Sequence, residues 1–89
     1  MARVLFTYAL QRHVACPPMD VAGNTVAEVL DTVFRANEQA RGYILDDQGA
    51  LRKHVVIFVN GSAIQDRVHL TDQVAADAEV FVMQALSGG

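Results

Sequence analysis

The last two residues of the chain, Gly88 and Gly89, are the positions whose type and placement could do chemistry. A terminal carboxylate is a poor acyl donor until ATP converts it to an acyl-adenylate. An enzyme that does this must admit the end of a folded protein through a narrow channel. Glycine suits such a channel because it has no Cβ and adopts backbone conformations that other residues avoid. The pair therefore predicts a reactive C-terminus, and a passive terminus is the alternative.

The length of the chain limits the number of domains that can precede the Gly88-Gly89 pair. Eighty-nine residues leave room for one hydrophobic core and no second one. We therefore expect residues 1–85 to form a single domain and residues 86–89 to form a flexible C-terminal tail. Within that tail, Leu86 and Ser87 are expected to fit a partner rather than to react.

The other chemically capable residues show no catalytic or metal-binding pattern. His13, His54 and His69 lack metal-ligand spacing with one another and with Cys16. The sequence has neither a Ser-His-Asp pattern nor a glycine-rich phosphate loop. We therefore expect no metal ion and no bound cofactor. The single cysteine excludes an intramolecular disulfide and fits a reducing cytoplasm, which is the predicted compartment.

Charge and composition narrow the classes of partner. The net charge is −3 and no basic run is present, which argues against nucleic acid or an anionic membrane as the main ligand. The longest apolar run, Val55–Val59, is far too short to span a bilayer. Because 52% of the residues are hydrophobic, apolar surface can remain for a partner protein.

Five strands and one helix are predicted from the hydrophobic pattern. The strands are expected at residues 3–10, 19–22, 54–59, 62–65 and 79–85. Asn60-Gly61 predicts a tight hairpin between the third and fourth strands. The Pro17-Pro18 pair restricts the start of the second strand to a sheet edge or a loop.

The helix has the clearest local signal. Thr25 and Glu28 have the spacing of a capping box. The apolar residues that follow recur on one helical face, at Val26, Val29, Leu30, Val33 and Phe34. The helix is predicted to run from Val26 to about Glu38 and to end before Gly42.

Two segments are expected to be irregular. Residues 42–52 form a small excursion around a polar turn at 46–49. Residues 68–74 are expected to hold one helical turn, started by Thr71 and Asp72. The order strand, strand, helix, strand, strand, strand favours a two-layer α+β fold, with one main helix packed on a mixed sheet of four to five strands.

The last predicted strand suggests a docking surface. Its alternate faces are both apolar at the start, yet one helix can cover only one of them. One set, either Val80, Val82 and Gln84 or Phe81, Met83 and Ala85, is therefore expected to form an exposed apolar patch beside the tail. A homodimer interface or an unusually covered core is the alternative.

Several stretches resemble one known family. They are Thr25-Val26-Ala27-Glu28-Val29-Leu30, Val59-Asn60-Gly61, Asp77-Ala78-Glu79-Val80 and Leu86-Ser87-Gly88-Gly89. With the order of elements, they resemble the MoaD/ThiS family of sulfur carriers, which have the ubiquitin-like β-grasp fold. The excursion at 42–52 resembles a longer subgroup of that family. Gln84-Ala85 stands where many members carry prolines, so the resemblance does not choose a pathway. The geometry of the family implies that Phe81 and Met83 point outward beside the tail, with a neighbour from Val55, Ile57 or Phe58, of which Phe58 is preferred.

The resemblance implies a cycle of sulfur transfer. An E1-like adenylating enzyme of the MoeB/ThiF type would use Mg-ATP to activate the Gly89 carboxylate. A sulfur donor such as a persulfide-carrying sulfurtransferase would then give a terminal thiocarboxylate. An acceptor synthase would use that sulfur in the biosynthesis of molybdopterin, thiamine, cysteine or a similar product. The chain would be a co-substrate and not an enzyme, either free-standing or as the small subunit of a sulfur-transfer enzyme such as molybdopterin synthase.

Two other functions fit the same tail. A ubiquitin-like modifier would be joined through Gly89 to lysines of other proteins, and it too would begin with adenylation. Lys53 is the only lysine of this chain, so extended chains with several linkage types are impossible. A non-catalytic docking subunit would keep the fold and use the tail only to bind.

Overall fold

A computed structural model describes residues 1–7 and 17–84 of the chain. Its elements are β1 (Ala2–Phe6), β2 (Met19–Val21), α1 (Val26–Ala36), α2 (Glu38–Ile44), β3 (Val55–Val59), β4 (Ser62–Ala63) and β5 (Glu79–Gln84). The predictions for residues 8–16 and for the tail at 86–89 lie outside the described residues, as does Ala85.

The five strands form one mixed sheet in the order β2-β1-β5-β3-β4. β5 lies in the centre, parallel to β1 and antiparallel to β3. β2 and β4 pair antiparallel at the two edges. Such a sheet, with its helices between β2 and β3 in the chain, is the predicted two-layer α+β fold. In the part of the chain that the structure describes, no helix is long and apolar enough to cross a membrane.

One face of this sheet packs with the helices into the core. The strand residues that are buried there belong to the same cluster as the apolar stripe of α1. The largest fully buried side chains are Val4, Val26, Val29, Leu30, Val33, Ile44, Val55, Ile57, Val80 and Val82. The helical periodicity of the sequence therefore identified the inward face of α1 correctly.

The start of α1 is fixed by local hydrogen bonds. Thr25 is the N-cap, and its Oγ1 accepts a hydrogen bond from the Glu28 backbone N–H at 3.2 Å. The Glu28 carboxylate accepts one from the Asn24 N–H at 3.1 Å. The predicted capping box is present, with the Glu28 side chain reaching one residue further back than in the standard arrangement.

The end of the helix differs from the prediction. α1 ends at Ala36, and a second helix, α2, runs through Gly42. Asn37 separates the two with a non-helical backbone, and its N–H closes α1 on the Val33 carbonyl at 2.9 Å. In an unbroken helix the polar Asn37 would continue the buried stripe of Val33 and Phe34. The break redirects the chain so that Ala40 and Ile44 are buried instead.

The Asn60-Gly61 hairpin is confirmed. Both residues have positive φ, 50° and 85°, as a tight turn between β3 and β4 requires. The Asn60 side chain also accepts a hydrogen bond from the Glu79 N–H, while the Asn60 N–H donates to the Glu79 carbonyl, both at 2.9 Å. Asn60 therefore shapes the hairpin and fastens it to the start of β5.

The polar turn of the excursion is present, whereas residues 42–44, which were expected to be irregular, belong to α2. Leu45 and Leu51 form an isolated antiparallel bridge around the polar turn. The Asp46 carboxylate closes that turn by accepting hydrogen bonds from the N–H groups of Gln48 and Ala50, at 2.8 and 3.0 Å. The hydrogen bonds of the Asp46 carboxylate therefore stay within the turn.

The prediction that Thr71 and Asp72 start a helical turn is wrong, because the turn begins earlier, at Asp66. The Leu70 N–H donates to the Asp66 carbonyl at 3.1 Å. The Asp66 carboxylate accepts hydrogen bonds from the hydroxyl of Thr71, at 2.6 Å, and from the N–H groups of Val68 and His69. Asp72 instead caps the preceding segment by accepting from the Gln65 N–H at 3.0 Å.

Replacing Leu30 by alanine tests the assignment of the helix face. Leu30 is 1% exposed, and a large-to-small change there removes apolar contacts and leaves a cavity. We expect Leu30→Ala to lower the free energy of unfolding by about 2 to 5 kcal/mol in urea titrations. Arg35→Ala is the matched control, because that side chain is 79% exposed and its ion pair with Asp31 is worth about 0.5 kcal/mol or less. Equal effects of the two changes would contradict the packing of α1.

The Asp66 turn predicts a dependence of stability on pH. The hydrogen bonds from Thr71 and His69 hold the pKa of the Asp66 carboxyl well below its usual range, against a smaller opposing effect of burial. A carboxyl with a lowered folded-state pKa stabilises the fold above its unfolded pKa of about 4, and this contribution disappears as the pH falls further. We therefore compare melting temperatures between pH 5 and pH 2. Over this range, the melting temperature of Asp66→Asn should fall by less than that of the wild type.

Asp47→Asn is the control for this experiment, since it removes an exposed carboxylate of the neighbouring turn and leaves the Asp66 bonds intact. Its melting temperature should follow the wild-type acid dependence. A wild type and Asp66→Asn with the same acid dependence would mean that the Asp66 bonds do not contribute to folding stability.

Candidate functional site

Apolar side chains line the sheet face that the helices leave uncovered. Phe81 of β5 is paired with Leu5 of β1 on one side and with Phe58 of β3 on the other. Residues in register share a face, so these three side chains lie in one row across the central strands. All three are half-buried. Val80 and Val82, which flank Phe81 in the chain, are fully buried on the opposite face.

A second row lies nearer to the tail. Met83 of β5 is paired with Val56 of β3, and both side chains are half-buried. We call the five residues Leu5, Val56, Phe58, Phe81 and Met83 the outer apolar face. A shallow depression on it is lined by Phe58, Gly61, Glu79, Phe81 and Met83.

The structure brings together three of the residues that the sequence indicated, Phe58, Phe81 and Met83. The other two suggested neighbours, Val55 and Ile57, are fully buried and point into the core. Sequence reasoning missed Leu5 and Val56. Strand alternation would place them opposite their buried neighbours, but only the pairing of β5 with β1 and β3 brings them beside Phe81 and Met83.

Charged residues border this face at the end away from the tail. Arg3 of β1 is in register with Glu79 of β5 and with Asp20 of β2. The Arg3 guanidinium contacts the Asp20 carboxylate at 3.4 Å, and both side chains are more than half exposed. The opposite end of the face reaches Met83, so the apolar surface continues toward the residues that precede the tail.

The last residue of β5, Gln84, is held by polar contacts from two other elements. Its side-chain oxygen accepts a hydrogen bond from the Tyr43 hydroxyl of α2 at 2.8 Å. Its backbone N–H donates to Thr7 Oγ1 at 3.4 Å. The Tyr43 ring also meets the His54 ring edge-on, with centroids 5.3 Å apart. No sequence pattern indicates these contacts, since they join residues that are far apart in the chain.

The outer apolar face has the character of a binding surface. The outer apolar face consists of five side chains without a titratable group. Across residues 1–7 and 17–84, no three His, Cys, Asp or Glu side chains lie together in a group that could hold a metal ion. The predicted reactive and tail residues, Leu86, Ser87, Gly88 and Gly89, lie outside the described residues.

Comparison with known proteins identifies the family. Residues 17–89 match the model of the ThiS family. The chain belongs to the ThiS family. No curated protein matches it in sequence. Membership confirms the resemblance to the MoaD/ThiS type of ubiquitin-like sulfur-carrier and modifier proteins, which are small carriers and not catalysts themselves.

Solved structures similar to this ThiS-family chain share its fold. SAMP1 from Haloferax volcanii is 25% identical, with a TM-score of 0.77 over 99% of this chain and 98% of that one. A chain in the Amycolatopsis orientalis BexX/CysO complex is 23% identical, with a TM-score of 0.77 over the full length of both. Mycobacterium tuberculosis CysO is 19% identical, with a TM-score of 0.81 over 97% of this chain and 100% of that one. These neighbours confirm the ubiquitin-like β-grasp fold.

Proposed function

We propose that this ThiS-family protein is a sulfur carrier whose Gly89 carboxylate is adenylated by an E1-like enzyme and converted to a thiocarboxylate. The observation that carries the proposal is the family match itself, which spans residues 17–89 and so includes the Gly88-Gly89 pair. The sulfur would then enter a biosynthetic product in the cytoplasm, such as molybdopterin, thiamine or cysteine.

The chemistry requires two displacements at the Gly89 carboxyl group. In the first, a carboxylate oxygen attacks the α-phosphorus of Mg-ATP, pyrophosphate leaves and an acyl-adenylate forms. In the second, a sulfur nucleophile attacks the carbonyl carbon and AMP leaves with the oxygen. Hydrosulfide gives the thiocarboxylate directly. A persulfide gives an acyl disulfide, and a second thiol must then reduce it to release the thiocarboxylate.

The outer apolar face supplies the recognition that this cycle needs. The five side chains of that face carry no titratable group, so we assign the chemistry to the adenylating enzyme and the acceptor synthase. Phe81 is at the centre of the first row, and aromatic residues at the centre of an interface carry much of its binding energy. Partners that bind this face would meet the tail next to Met83, with Leu86 and Ser87 fitting the channel of the partner.

A second candidate function is a ubiquitin-like protein modifier. The likeness to SAMP1, a small archaeal modifier protein from Haloferax volcanii, favours it. Lys53 is exposed, and as the only lysine it restricts any chain formed by this protein to one linkage. A third candidate, a subunit in a lasting complex, is favoured by the neighbour solved as a BexX/CysO complex. Such a subunit would need the outer apolar face and not the Gly89 carboxylate.

Intact mass of the protein isolated from its own cells distinguishes these functions. We expect a mass gain equal to the exchange of one oxygen for sulfur, trapped by alkylation and mapped to Gly89. A Gly89→Ala chain expressed in the same cells should lack the gain and fail to support the pathway, because the partner channel admits little beyond glycine. An unmodified carboxylate, together with C-terminal fragments of this chain joined through Gly89 to lysines of other proteins, would instead support the modifier. Full function of Gly89→Ala would support the docking subunit.

Replacing Phe81 tests the docking face. We expect Phe81→Ala to weaken binding to the adenylating enzyme by about ten- to a hundredfold, because it removes an aromatic side chain from the centre of the face. Calorimetric titration of the enzyme with each chain measures this, after thermal melts have shown that the variant is folded at the assay temperature. Arg35→Ala on the exposed side of α1 should bind like the wild type. Unchanged affinity of Phe81→Ala would exclude this face as the docking site.

A further inference from the structure

Tyr43 connects the excursion to the strand that leads into the tail. Its hydroxyl donates to Gln84 Oε1 at 2.8 Å, across 41 residues of chain, and the bond is partly buried. Gln84 is the last residue of β5 and lies five residues before Gly89 in the sequence. The contact therefore joins α2 to the end of the described part of β5, shortly before the segment that carries the proposed reactive group.

The backbone on both sides of Tyr43 is held in place. The next residue, Ile44, is fully buried in the core. The carbonyl of Gly42 accepts a hydrogen bond from Arg52 Nε at 2.8 Å, and the carbonyl of Ile44 accepts one from the Arg52 N–H at 3.0 Å. The His54 ring packs edge-on against the Tyr43 ring, with the ring centroids 5.3 Å apart. Because the backbone and the ring of Tyr43 are both held, its hydroxyl can fix the side chain that it binds.

Gln84 is joined to other described elements by its side chain and by its backbone. It is paired with Val55 at the start of β3. The contact between its backbone N–H and Thr7 Oγ1 is long, at 3.4 Å. At 2.8 Å, the Tyr43 bond is the shorter of these two hydrogen bonds.

We propose that Tyr43 is a positioning residue for the reactive tail, acting through its hydrogen bond to Gln84. The inference rests on the proposed function. Acyl transfer at Gly89 requires the carboxylate to reach one point in a partner active site, and correct orientation of a reacting group raises the rate of a bound complex. Holding Gln84 would limit the directions from which the following residues enter that site. The outer apolar face would then set affinity, while the Tyr43–Gln84 pair would set the rate of the bound complex.

Amide exchange and relaxation in the isolated protein test the physical part of the proposal. Tyr43→Phe keeps the ring and its contact with His54 and removes only the hydroxyl. We expect the Gln84 amide to exchange about three- to tenfold faster and its ¹⁵N order parameter to fall, since one hydrogen bond is lost. Gln84→Met, of similar shape and without the acceptor, should affect its own amide equally. Combining the two changes should add nothing further.

Kinetics with the adenylating enzyme test the consequence for the reaction. We expect kcat for Gly89 adenylation, measured by ATP–pyrophosphate exchange, to fall about three- to tenfold in Tyr43→Phe, with KM for the carrier unchanged. Gln84→Glu keeps an acceptor for the hydroxyl and should retain the wild-type kcat, whereas Gln84→Met should resemble Tyr43→Phe. Gln39→Ala, exposed on the same helix, is the surface control.

The outcomes separate the two proposals. A raised KM with unchanged kcat in Tyr43→Phe, or wild-type relaxation of Gln84 in that variant, would overturn the positioning role and leave the carrier function standing. A wild-type chain that its adenylating enzyme does not activate would refute the proposed function. The relaxation comparison would still decide whether Tyr43 holds Gln84.

Discussion

The parallel pairing of β5 with β1 is the constraint on which the rest of the structure depends. It joins the two ends of the described chain through bonds such as Arg3 N–H to the Ala78 carbonyl, at 2.9 Å, and Thr7 N–H to the Val82 carbonyl, at 3.0 Å. A parallel pair needs a long connection, and here both helices and the β3–β4 hairpin form it. Once β5 occupies the centre of the sheet, its alternation assigns Val80 and Val82 to the core and Phe81 and Met83 to the outer apolar face.

This central position links stability to recognition. The same strand buries apolar side chains on one face and contributes Phe81 and Met83 to the outer apolar face on the other. The outer apolar face cannot move relative to Gln84 without breaking ladder hydrogen bonds on both sides of β5. In the proposed cycle, the distance from that face to the Gly89 carboxylate would therefore depend mainly on the residues that follow Gln84.

Features encoded by neighbouring residues were predictable, and features that depend on long-range contacts were not. Thr25 with Glu28 and the Asn60-Gly61 pair determine local backbone geometry, and both were identified from the sequence. Asn37 breaks the helix because its place on the stripe competes with the burial of Ala40 and Ile44, a balance that exists only once the core is assembled. The part played by Leu5 required the register of β1 against β5, and the Tyr43–Gln84 bond required the position of α2.

Separating affinity from orientation would have a physical consequence in the proposed cycle. Binding energy from the outer apolar face would act equally on the ground state and the transition state of the bound complex, so it would lower KM without accelerating the chemistry. Orientation of the Gly89 carboxylate would act only on the fraction of bound complexes that can react. One β-grasp scaffold would then serve partners of different chemistry, because each partner would recognise the same face while its own active site decides what the terminal group becomes. Under this proposal, the choice between sulfur transfer and protein modification lies in the nucleophile that each partner presents to Gly89.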